Sequence, residues 1–161
     1  DNRVRSFTTA ESPEEREKIW GARREAHKAV KYGNPDYQVV ITDVVVPISS
    51  YPDMIDQIYE IAAAHRIRVG TFGHAGDGNV HAEVLGRLDD PDELQRARIV
   101  CEEIVGHALS FGGTATGEHG VGLGKRKFMR REHGASLDLM HRIKTLFDPA
   151  GILNPGKIFE D

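Results

Sequence analysis

Two periodicities alternate along the chain. Ser12-Pro13-Glu14-Glu15 puts a hydroxyl at an N-cap, proline at the first helical position and a carboxylate at the third, a capping box whose φ is already set. Ile19, Trp20, Ala22, Ala26 and Val30 follow at the spacing of one helix, which Gly33-Asn34-Pro35 stops. Ahead of it, Val4 to Thr9 reads as a short strand. From Val39 to Val46 the chain is β-branched, interrupted by Thr42 and Asp43 and closed by Pro47, the pattern of a buried strand.

Tyr51 to His65 returns to helical spacing, with Met54, Ile55, Ile58, Ile61 and Ala62 on one side. Ile67 to Ala75 and Val80 to Leu85 are two strands around Gly76-Asp77-Gly78-Asn79. Asp92 to Phe111 is a second long helix that Gly112-Gly113 ends, and Thr114 to Glu118 is a fourth strand. The order β-α-β-β-α-β is the split βαβ of a ferredoxin-like antiparallel sheet, so the expected class is α+β with flanking helices. A helical C-terminal segment, Ser136 to Phe147, carries Leu137, Met140, Ile143 and Phe147 on one face.

Composition narrows the function classes. At 161 residues, 39% hydrophobic and 29% charged, the chain fits one globular domain. No apolar run approaches the roughly 18 residues that a membrane span needs. The expected location is therefore cytoplasmic or peripheral to a membrane. A net charge of −4 offers no field for nucleic acid. The one cysteine, Cys101, excludes an internal disulfide and a thiolate zinc cage. Because it opens on Asp-Asn-Arg, the chain is expected to be a C-terminal piece, 1–161, of something longer. The cluster Lys125, Arg126, Lys127, Arg130 and Arg131 reads as a solvated face.

The sharpest local signal is Gly73-His-Ala-Gly-Asp-Gly-Asn-Val-His81. With Asp77-Gly78 as a two-residue type I′ turn, His74 faces His81 across the hairpin. Directly opposed Cβ atoms are about 4.5–5.5 Å apart, close enough for two imidazoles to share one metal ion. Alternation adds Phe72 and Glu83 to the same face. The plainer reading is a tight turn with two inert histidines. A second signal is Gly117-Glu-His-Gly-Val-Gly-Leu-Gly124, an adjacent carboxylate and imidazole among four glycines. It reads either as a flexible loop or as a third ligand, Glu118, beside a general base, His119. It lacks both the Gly-Lys-Ser/Thr of a phosphate loop and the Gly-x-x-Gly ending of a dinucleotide fingerprint. Arg23 shares a helix face with Trp20 and His27, placed either to grip a carboxylate or to lie over the indole. The remaining histidines, His65, His107, His133 and His141, fall on helices where packing explains them.

Five stretches in order carry a resemblance: Trp20-Gly-Ala-Arg23, Asp43-Val-Val-Val-Pro47, the His74/His81 segment, Gly117-Glu-His-Gly-Val-Gly122 and Phe147-Asp-Pro-Ala-Gly-Ile-Leu-Asn-Pro-Gly-Lys157. They resemble the C-terminal portion of FAD-linked oxidases and dehydrogenases of the vanillyl-alcohol-oxidase type, in the D-lactate dehydrogenase and glycolate oxidase subunit branch. The resemblance implies a cap over a flavin held by an N-terminal FAD domain that this chain lacks. It implies that His74, His81 and Glu118 hold a divalent metal (zinc, manganese or iron) and that His119 takes the substrate's hydroxyl proton. Arg23 and Asn79 would contact the substrate, and Asn154 and Lys157 would lie near the flavin. The implied partners are a small 2-hydroxy acid and the FAD domain, with a homodimer left open. Where relatives taking a second carboxylate carry a basic residue, Ile41 and Thr42 stand here, so lactate, glycolate or a longer apolar 2-hydroxy acid is expected over 2-hydroxyglutarate. The alternative is a non-catalytic metal-binding α/β module used for assembly or binding.

One tension accompanies these expectations. In a regular four-stranded sheet, a Glu118 that closes the last strand lies at the end opposite the two histidines.

Overall fold

The computed structural model describes residues 9–159. The chain divides into two compact units, residues 1–35 and 36–161. In the first, helix α1 (Pro13–Arg24) starts on the expected box: Ser12 Oγ accepts from the Glu15 N–H at 3.1 Å, and Glu15 accepts from the Ser12 N–H at 3.2 Å. The single helix expected through Val30 is two helices, because α1 ends at Arg24 and α2 (Ala26–Gly33) begins after Glu25. Glu25 sits at φ −89°, ψ −2°. Gly21, which lowers helix stability by about 1 kcal/mol relative to alanine, lies in the last full turn before that joint. Residues 4–8 of the expected N-terminal strand lie outside the described residues.

The second unit is built on three strands, β1 (Tyr37–Val45), β2 (Arg68–His74) and β3 (Asn79–Arg87), in the order β1-β3-β2. Both outer strands run antiparallel to β3 and hence parallel to each other. Helices α3 (Tyr51–Ala64) and α4 (Pro91–Ser110) cover one face. There Val44, Val80, Ala82 and Val84 pack with Met54, Ile58, Val100 and Ile104. Each of the valine, isoleucine and methionine side chains contributes about 1.5–3 kcal/mol by leaving water. The architecture is α+β, as the sequence pattern implies.

Register on the opposite face differs from expectation. The turn is not a two-residue type I′ loop, because Ala75–Asp77 form a 3-10 turn and Gly78 closes it at φ +73°. His74 therefore pairs with Asn79, and His81 pairs with Phe72 on one side and Asp43 on the other. Two contacts fix this longer loop. The Gly78 carbonyl accepts from the Val46 N–H at 3.0 Å, and a Cβ on Gly78 would collide with the Val46 carbonyl. A shift of two residues keeps every side chain on its face, so the two histidines become diagonal rather than direct neighbours.

The fourth strand is reduced to one bridge between Val45 and Thr114, with reciprocal N–H to C=O bonds of 3.3 and 2.9 Å. Beyond it the backbone N–H groups turn away from the ladder toward the Asp43 carboxylate, as described below. The basic cluster forms a short helix, α5 (Arg126–His133), which buries Met129. α6 (Ser136–Phe147) matches the expected segment, and the tail after it returns through an Ile158 N–H bond of 2.9 Å to the Gly122 carbonyl.

Candidate metal centre

The C-terminal ends of β1 and β2, the start of β3 and the loop after Thr114 meet at one end of the sheet. Three imidazoles converge there on one carboxylate oxygen. Glu118 Oε1 lies 3.0 Å from His81 Nε2, 3.6 Å from His119 Nε2 and 3.7 Å from His74 Nε2. Ring centroids of His74 and His119 are 5.8 and 5.2 Å from that of His81, both edge-on. The chain reversal supplies His74 and His81. Glu118 reaches them because the fourth strand stops after one bridge, which removes the tension between a regular sheet and a shared site.

Asp43 was not among the candidate residues, yet it organises this end of the sheet. Its Oδ2 accepts backbone N–H bonds from Gly117 at 3.0 Å, Glu118 at 2.9 Å and His119 at 2.8 Å, with the Thr116 hydroxyl at 3.3 Å. Oδ1 accepts from Asn79 Nδ2 at 2.7 Å and stands 3.5 Å from His81 Nδ1. Burial pushes this carboxyl's pKa upward most strongly, but the N–H groups of His119 and Glu118, the Asn79 amide and the Lys125 ammonium outweigh it. The result is a pKa of about 2. Lys125 donates to the Asp43 carbonyl at 2.6 Å. Burial lowers the pKa of this ammonium, while Asp43 and Glu132 oppose the change. Gly117 is required here, because a Cβ would collide with the Asn79 amide and the Asp43 carboxylate. The available signal was the acid itself. A carboxylate in the middle of a buried β-branched run costs several kcal/mol unless partners gather round it.

Asn79 is buried, with Nδ2 committed to Asp43 and to the Val44 carbonyl at 3.3 Å, and its Oδ1 has no hydrogen-bond partner among the described residues. Arg23 lies on α1, in the first unit, and is half-buried. Glu83, fully buried, shares the face of His81, and exposed Ile41 lies opposite it on β1. Thr42 is on the other face, turned toward the helices and buried.

Asn154 and Lys157 are elsewhere in the unit. They line a cleft of about 230 Å³ in the C-terminal tail together with His141, Lys144 and Asp148. No hydrogen bond or ion pair among the described residues joins them to the histidines. Asp148 is buried and orders that tail by accepting from the N–H groups of Ile152 at 3.0 Å and Leu153 at 2.9 Å. Two of the histidines ascribed to helix packing face carboxylates, since His65 meets Glu103 at 3.0 Å and His133 meets Glu132 at 3.6 Å.

Ligand atoms of Asp43, His81, Glu118 and His119 all lie within 4.8 Å of one another, and His74 flanks them through Glu118. Imidazole nitrogens with carboxylate oxygen form a donor set that suits zinc, manganese or iron(II). The residues present therefore fit a divalent cation. His81 and Asp43 are buried, whereas the side chains of Glu118 and His119 are 52% and 60% exposed. The cluster is thus closed by protein on one side only. No helix among the described residues is long and apolar enough to cross a membrane.

The chain is 38% identical to probable mitochondrial D-lactate dehydrogenase of Danio rerio, over 99% of its own length and 32% of that protein's. It is 39% identical to glycolate oxidase subunit GlcD of Bacillus subtilis, over 96% and 33%. It thus spans about a third of the curated relatives it matches. A solved structure of 4-ethylphenol oxidase from Gulosibacter chungangensis, in its isoeugenol complex, superposes with a TM-score of 0.57 at 18% identity, covering 93% of this chain and 31% of that one, a likeness of fold. The family described as FAD linked oxidases, C-terminal domain, matches residues 1–158, and the chain belongs to it.

Proposed function

We propose that this chain is the substrate- and metal-binding part of an FAD-dependent D-2-hydroxy acid dehydrogenase of the D-lactate or glycolate type. The observation that carries the reading is the convergence of three imidazole nitrogens on Glu118 Oε1 at 3.0–3.7 Å. The likeness to D-lactate dehydrogenase and glycolate oxidase subunits supports the substrate class.

In this reading His74, His81 and Glu118 hold a divalent cation. When bound, the cation supplies Lewis acidity toward the hydroxy acid's oxygens, and the FAD of the partner domain supplies the hydride acceptor. His119 Nε2, on the open side of the cluster, takes the proton of the 2-hydroxyl, for which an imidazole is suited near neutral pH. The family resemblance assigns the substrate carboxylate to Arg23, a role for which a guanidinium offers two parallel donors. Asn79 has Oδ1 as its remaining acceptor, because Nδ2 is already engaged. Asn154 and Lys157 face the flavin domain. The uncharged Ile41 beside the site and the inward Thr42 favour a small monocarboxylic substrate over one with a second carboxylate.

The exposure of Glu118 and His119 favours this reading over a purely structural metal site, which protein donors would close on all sides. The test is turnover of D-lactate and glycolate by the full-length flavoprotein with a dye acceptor. Loss of turnover in a His74→Ala, His81→Ala double variant that still holds flavin supports the reading. Full activity in that variant rules it out.

A further inference from the structure

Resting on the metal-centre reading above, we propose that Asp43 is a positioning residue, not a ligand. Its carboxylate fixes the 117–119 backbone and the His81 ring in one arrangement and thereby sets how tightly the site holds a divalent ion.

Proximity alone would make Asp43 a fourth ligand, since its carboxylate lies within 4.8 Å of donor atoms of His81, Glu118 and His119. Its lone pairs decide otherwise. A carboxylate offers about four acceptor sites over two oxygens. Oδ2 already receives three consecutive backbone N–H groups, at 3.0, 2.9 and 2.8 Å, and the Thr116 hydroxyl. Oδ1 receives the Asn79 amide at 2.7 Å, and its remaining acceptor site has His81 Nδ1 beside it at 3.5 Å. Successive N–H groups turned to one point form an anion-binding concavity, and here a buried side chain from β1 fills it.

Two consequences follow for the candidate ligands. Glu118 and His119 are exposed side chains on a glycine-rich loop, and the bonds from their own N–H groups to Asp43 tie that loop to the sheet. His81 is strand neighbour to Asp43, with Nδ1 toward Oδ1 at 3.5 Å and Nε2 toward Glu118 at 3.0 Å. A carboxylate on that side favours the Nδ1–H tautomer and leaves Nε2 as the donor to a cation. One acid thus couples ligands from two separate segments. Outer partners of this kind typically change metal affinity by about 10–100-fold.

The experiment measures the dissociation constant for Zn²⁺ by chelator competition on the full-length, flavin-loaded protein, together with the visible absorption of the Co²⁺-saturated form. Asp43→Asn keeps the shape and removes the charge. Gly117→Ala leaves Asp43 and every candidate ligand intact but adds a Cβ that collides with the Asn79 amide and the Asp43 carboxylate. We expect one ion per chain in all three proteins, affinity about 10–100-fold weaker in both variants, and Co²⁺ bands at the wild-type positions once saturated. A wild-type dissociation constant in both variants overturns the positioning role alone. Co²⁺ bands displaced in Asp43→Asn but not in Gly117→Ala overturn it in favour of direct ligation. Absence of binding in the wild type overturns this role and the metal-centre reading together.

Discussion

His81 Nε2 lies 3.0 Å from Glu118 Oε1, although the two residues come from separate segments and His81 is buried while Glu118 is half exposed. A buried, strand-held imidazole is a fixed donor, whereas a loop-held carboxylate can adjust its reach. Their meeting at the open end of a three-stranded sheet is the feature on which the functional reading depends.

Removing metal should destabilise the protein. A site that binds only the folded state adds about 2.7 kcal/mol when the free ion is at 100 times its dissociation constant. Differential scanning calorimetry after chelation should show a lower Tm that returns with added Zn²⁺ or Mn²⁺. Glu118→Gln should flatten that response.

His119→Asn should separate proton transfer from metal binding. The expected loss in kcat with D-lactate or glycolate is about 10²–10⁴-fold, the usual contribution of a general base. Metal content by elemental analysis should be unchanged. Loss of the ion together with activity would instead make His119 a ligand.

Asp43 makes the metal-free protein sensitive to acid. Its carboxyl is held at about 2, below the ordinary value of 3.8. A depressed folded-state pKa means that stability is fully present above about pH 4 and is lost as pH falls toward 2, an effect of about 2 kcal/mol. Urea unfolding of the chelated protein between pH 5 and 2 should show this slope, and Asp43→Asn should remove that part of it and lower stability at neutral pH.

Gly78→Ala tests the chain reversal. Its φ of +73° and the nearby Val46 carbonyl leave no room for a Cβ. The substitution should cost about 1–3 kcal/mol, read as a lower denaturation midpoint. Gly76→Ala, whose added Cβ meets nothing within 4 Å, should be close to neutral.

Much of this was legible in the residues. The helical periods of Tyr51 to His65 and Asp92 to Phe111 and the β-branched runs around them reflect burial on one face, which leaves a clear pattern. The likeness carried by His74, His81, Glu118 and His119 named four side chains that the fold brings together. Three features stayed hidden because each depends on a contact distant in sequence. The hairpin register depends on Val46 gripping Gly78, not on the turn residues alone. The fourth strand stops at Thr114 because Asp43, seventy-odd residues earlier, captures the N–H groups of 117–119. Asp43 itself looked like an interruption in a strand, since its partners appear only once the chain has folded.

The most direct test is the divalent metal content of the purified full-length protein, compared with that of a His81→Ala, Glu118→Gln double variant, by elemental analysis after dialysis against trace zinc and manganese. One ion per chain in the natural protein and none in the variant is the predicted result. Equal metal content in both, or none in either, would contradict the existence of a metal centre at this end of the sheet.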